Sequence, residues 1–120
     1  MFRPWVASRR VMLAAMAGIV RDGATPQGRD ALAYCQTPGR DILMSLEEMA
    51  GLNCGTCKEH AMLGARAAIE SGAQHVELCM TVSGDPEEHM FCRIDGQFRD
   101  FAVEAGMPVR RIREFIAVTV

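Results

Sequence analysis

Cys57, His89 and Asp100 are the side-chain types of a thiol–imidazole–carboxylate set for nucleophilic catalysis. In such a set a thiolate attacks a carbonyl carbon, an imidazole moves the proton, and a carboxylate holds the imidazole in place. Cys57 comes directly after the loop Gly51-Leu52-Asn53-Cys54-Gly55-Thr56 and opens a stretch to Ser71 rich in Ala, Met and Leu. It therefore lies at or next to a helix N-terminus, where unpaired N–H groups and the macrodipole favour a negatively charged sulfur. A small buried cysteine that merely fits explains the same position equally well. For His89 and Asp100 the argument is register. Asp95-Gly96 reads as a two-residue hairpin turn between strands over 89–94 and 97–103. Ile94 then faces Gln97, Phe91 faces Asp100, and His89 faces Ala102. His89 and Asp100 become diagonal neighbours on one face, within reach of each other. Asp95 lies further along, at the turn, and is the weaker partner. Taken alone, His89 is explained more simply as a surface or internally satisfied histidine.

Five cysteines is an odd number, so within one chain at least one sulfur is free, metal-bound or reactive. The spacing Cys54-x2-Cys57-x2-His60 raises an alternative: a zinc or iron–sulfur site built from Cys54, Cys57, Cys79 and Cys92. Cys79 and Cys92 both fall within strands rather than on the knuckle loops such sites use. Cys35 reads as filler on a short helix. Cys54 keeps three readings: bystander, redox partner of Cys57, or half of a metal site. His60 reads as a solvated position on the first helical turn, and His75 as an exposed residue at the start of a strand.

The elements that must position these residues are legible from periodicity and breakers. The chain has 120 residues, 49% of them apolar, which suits one domain with a real core. Residues 1–50 read as a helical N-terminal part, with short helices from Ser8, over Arg29–Cys35, and over Asp41–Met49. Thr37-Pro38-Gly39 ends the second of these. Residues 51–120 read as the cysteine helix followed by an antiparallel sheet. Its face of Cys57, Ala61, Gly64 and Ala68 would let a sheet approach closely. Val76 to Val82 alternates as a half-buried strand, and 83–88 is a loop. Glu114–Val120 is a last strand at the sheet edge, able to pair with a partner. The expected fold class is α+β: N-terminal helices, then a small antiparallel sheet packed on a central helix carrying a cysteine at its N-terminus.

Composition also excludes. The formal charge is −2, so no basic excess grips a phosphate backbone, and nucleic acid is a poor default partner. No apolar run is long enough to span a membrane. Ser8-Arg9-Arg10-Val11-Met12-Leu13, with Ala15-Met16-Ala17 as a cleavage site, looks like a twin-arginine export signal. Its apolar stretch is short and is closed at once by Arg21-Asp22, which favours an ordinary helix and a cytoplasmic protein over an exported one.

The segment Cys57-Lys58-Glu59-His60-Ala61-Met62-Leu63, closing near Ser71-Gly72, is similar to the nucleophile helix of the transglutaminase-like superfamily. His89-Met90-Phe91-Cys92-Arg93-Ile94-Asp95-Gly96-Gln97-Phe98-Arg99-Asp100 resembles that family's histidine strand, turn and aspartate strand. The resemblance covers about residues 50–105. It implies a transglutaminase-like, papain-like core with Cys57 as nucleophile, His89 as general base and then acid, and Asp100 as orienter of His89. The implied activity is that of a cysteine peptidase, amidase or transamidase acting on a carboxamide or peptide bond through a thioester, with a peptide or protein substrate and no cofactor. The family also contains inactive members and small proteins of tailed phages. A non-catalytic virion or interaction component with protein assembly partners is therefore the alternative on the same fold.

Overall fold

The computed structural model describes residues 4–36, 43–82 and 89–120, and side chains from residue 8 onward. The expected turn at Thr37-Pro38-Gly39, the start of the expected helix at Asp41 and the loop over 83–88 lie outside the described residues.

Helix α1 runs Pro4–Asp22 and starts at a proline, whose missing N–H costs nothing in a first turn. It begins earlier than the expected cap at Ser8, which lies inside it. Leu13, Met16, Ala17 and Val20 fall on one stripe and are buried, while Val11 and Met12 on the other side are exposed. The segment that resembles an export signal is thus a core element. Cleavage at Ala15-Met16-Ala17 would take Leu13, Met16 and Ala17 out of the core. Arg66 secures the far end of α1: its Nη1 donates to the carbonyls of Val20 (3.3 Å) and Arg21 (3.1 Å), which lack helical partners.

The expected helix over Arg29–Cys35 is replaced by a single 3-10 turn, Arg29–Ala31, and a two-residue strand β1, Ala33–Tyr34. β1 pairs in parallel with β2, Cys54–Gly55, and a Cys35–Cys54 disulfide closes the pair. A helix of seven residues is not stable alone, so local preference yields to the covalent tie and the ladder. Cys35 is therefore a bridge half and not helix filler. Between them lies α2, Leu46–Ala50, capped reciprocally by Ser45 and Glu48 at 3.1 Å each way.

Helix α3 spans Cys57–Glu70 and is the central element. Its residues from Lys58 to Ala65 are all buried, including Lys58 and Glu59, which sequence alone places on a polar face. The sheet that covers it has the order β5-β4-β3-β6, antiparallel throughout. Its strands are β3 (Val76–Thr81), β4 (Met90–Ile94), β5 (Gln97–Arg99) and β6 (Phe115–Thr119). β3 is flanked on both edges and buried at every position, not half-buried as alternation suggests. β6 occupies the sheet edge as expected. The α+β class holds: helices first, then a small antiparallel sheet. No helix among the described residues is long and apolar enough to cross a membrane.

The hairpin register is the expected one, with Ile94 opposite Gln97 and Cys92 opposite Arg99. Asp95 (φ 49°) and Gly96 (φ 84°) both take the left-handed backbone that a tight hairpin turn needs. Asp95 also serves the sheet, since its Oδ1 accepts from the backbone N–H of Gln74 (3.0 Å) and His75 (2.8 Å). The third strand, however, stops at Arg99. Residues Phe101–Glu104 turn into a short helix, α4, capped by Asp100.

Candidate active site

The cysteine end of the site is built by a helix cap. Thr56 precedes α3, and the Glu59 carboxylate accepts from the Thr56 backbone N–H (3.3 Å) and hydroxyl (2.8 Å), with Lys58 Nζ at 3.8 Å. Glu59 is fully buried, and these groups give its carboxylate the partners that burial requires. The cap sets the first turn and with it Cys57, the first residue of α3. Cys57 is partly exposed, whereas the other two cysteines outside the disulfide, Cys79 and Cys92, are buried. Burial pushes the Cys79 thiol up to about 12 and the Cys92 thiol higher still, so both stay protonated and inert.

The histidine end is fixed by β3. The His89 backbone N–H donates to Thr81 Oγ1 (3.0 Å), and its carbonyl accepts from the Thr81 N–H (3.0 Å). His89 is about 1% exposed, and its imidazole stacks on Phe91, with ring centroids 6.0 Å apart at 21°. Asp100 uses both its oxygens. Oδ1 accepts from the Val103 N–H (3.2 Å), capping α4, and Oδ2 lies 2.5 Å from His89 Nε2. A carboxylate only accepts, so Nε2 carries the proton and Nδ1 is left for other work. Nδ1 is buried and has no partner in full hydrogen-bond geometry among the described residues. Cys57 nonetheless acts on this ring. Burial disfavours the charged imidazole, but the Asp100 hydrogen bond, the Cys57 side chain and the charges of both outweigh it, and the His89 pKa rises to about 9.

The three sequence-predicted residues thus converge: Asp100 on one ring nitrogen, with Cys57 interacting with the same ring. The other candidates disperse. Cys54 is bonded to Cys35. Cys79 lies opposite Phe91 and Cys92 opposite Leu78, so the two point to opposite faces of the sheet. The alternative metal set Cys54, Cys57, Cys79 and Cys92 is therefore not assembled, and among the described residues no group of three metal-ligating side chains forms. His60 is not solvated: it is buried, with Nε2 3.2 Å from the Ala33 carbonyl. His75 is exposed as expected and lies 3.4 Å from Glu77.

Tyr34 belongs to the neighbourhood and has no sequence signal. Burial raises its phenol pKa first, then the charges of Cys57 and Asp100, with Arg110 opposing. The β1–β2 pairing and the Cys35–Cys54 bridge together set residue 34 opposite Gly55, at the start of α3. An open groove of about 480 Å³ runs elsewhere, past Arg29, Gly64, Ala68, Gly72 and Arg99, and is not lined by Cys57, His89 or Asp100. Comparison with protein-family models, curated proteins and solved structures finds no match to this chain.

Proposed function

We propose that the protein is a thiol amidohydrolase of the transglutaminase-like type, a cysteine peptidase or amidase acting on a carboxamide or peptide bond through Cys57, His89 and Asp100. The observation that carries this reading is the buried imidazole of His89, held by Asp100 at Nε2 and raised to about 9 with Cys57 among the causes. At neutral pH such a ring is an imidazolium, the partner a cysteine thiolate needs.

The chemistry follows from that charge state. The Cys57 sulfur forms a bond to the carbonyl carbon, and the carbonyl π electrons move to oxygen. His89 delivers its proton to the departing amine as the C–N bond breaks, leaving a thioester. Water then attacks the thioester carbon. His89 takes the proton from that water, and the C–S bond breaks to return the thiolate. Asp100 keeps the ring oriented and offsets its charge at each stage. An amine in place of water gives transamidation by the same steps.

Alkylation by iodoacetamide near pH 7 tests the proposal, followed residue by residue by peptide mapping. Cys57 reacts fast, and His89→Ala slows it by about tenfold or more because the ring no longer stabilises the thiolate. A Cys57 rate unchanged in His89→Ala would show that exposure alone sets its reactivity, and the proposal would fall.

A further inference from the structure

We infer that Tyr34 is a catalytic residue that donates its hydroxyl proton in a hydrogen bond to the oxyanion formed when Cys57 attacks a carbonyl. The inference rests on the thiol reading above. It starts from how heavily a two-residue strand is tied down. Tyr34 is paired with Gly55, two residues before Cys57. On one side of it the Ala33 carbonyl meets His60 Nε2 at 3.2 Å. On the other, the Cys35 N–H donates to the Gly55 carbonyl at 2.9 Å, and the Cys35 sulfur is bonded to Cys54. Ladder, hydrogen bond and disulfide thus all fix one residue against the start of α3. The ring is half-buried, 6.4 Å from the His60 ring, and among the described residues its hydroxyl has no hydrogen-bond partner.

A phenol is useful at that place only as a donor, and the surroundings keep it one. Burial and the negative charges of Cys57 and Asp100 hold its proton on, against the pull of Arg110. The tetrahedral intermediate carries its new charge on the former carbonyl oxygen, one bond from the carbon that Cys57 holds. Backbone N–H groups of the first turn of α3 lack helical acceptors and lie at the Cys57 end of that helix. A preorganised hydroxyl supplies a further donor there without reorganisation during the reaction.

Two reactions of the same sulfur separate this role from any effect on the thiol. Iodoacetamide alkylates Cys57 by displacement at carbon, with no oxyanion, whereas p-nitrophenyl acetate acylates it through a tetrahedral oxyanion. In Tyr34→Phe the alkylation rate stays within about twofold of wild type. Its acylation burst slows by about 10²- to 10³-fold, the range for losing one oxyanion donor. Thermal unfolding of the variant at the wild-type midpoint shows that the ring still packs. Acylation at the wild-type rate overturns the inference, and so does an equal loss of both reactions, which would assign Tyr34 to the thiol. A wild-type Cys57 inert to both reagents overturns the thiol reading itself and the role of Tyr34 with it.

Discussion

Taking His89 out of water disfavours its charged form, yet the ring is held charged by Asp100 and Cys57, and this has a measurable sign. The folded pKa of about 9 exceeds the unfolded value of about 6.5, so the native state binds the extra proton between those limits. The stabilisation is fully present below about pH 6.5 and is lost as pH rises through about 9. Urea midpoints will therefore fall from pH 6 to pH 9.5 more steeply in the wild type than in His89→Gln; equal slopes would refute the charged resting ring. At this scale the sequence was informative where spacing is local. A hairpin of two turn residues places His89 within reach of Asp100 by counting alone. Buried Glu59 and His60 were not legible, because nothing within a few residues signals that the first turns of α3 are covered on every side.

Asp100 depends on an element that strand alternation hides. Residues 101–103 continue the apolar pattern of a strand, but Phe101 turns inward and packs on Gly64 of α3. A Cβ at Gly64 would lie 2.3 Å from the Phe101 ring. The glycine thus lets α4 sit down on α3 and hold Asp100 against His89. Two effects compete in Gly64→Ala. Helix propensity favours alanine by about 1 kcal/mol, while the overlap with an aromatic ring costs about 1–3 kcal/mol. The clash wins, so the variant will be less stable by chemical denaturation and, as Asp100 shifts, its His89 ring will titrate at lower pH by NMR. A more stable variant with an unchanged titration would show that α4 does not position the carboxylate. The face of small residues on α3 was readable in the sequence as a site of close approach. At Ala61 the partner is the sheet, through Cys92 Sγ donating to its carbonyl at 3.3 Å, but at Gly64 it is α4.

In the whole molecule one covalent tie connects the N-terminal part to the site. The Cα radius of gyration is 13.4 Å, close to the roughly 13.6 Å of a single compact body of this length. Within it the Cys35–Cys54 bridge closes a loop between residues 19 apart. Loop-closure entropy for that length corresponds to about 3 kcal/mol, with measured bridges spanning about 2–4 kcal/mol. Cys35→Ser/Cys54→Ser will lose stability of that order by denaturant unfolding, while an unchanged midpoint would place the bridge outside the cooperative fold. The sequence alone determined what short-range chemistry determines: the extent of α3, the hairpin register, the edge strand, and the candidacy of Cys57, His89 and Asp100. Capping, turn preference and side-chain alternation act within a few residues and are written locally. Only tertiary structure decided the partner of Cys35, the fates of Cys54, Cys79 and Cys92, the core role of α1, and the pairing of Tyr34 with Gly55 just before Cys57. Each depends on which surfaces are buried against one another at long separation, and a one-dimensional pattern carries no term for that.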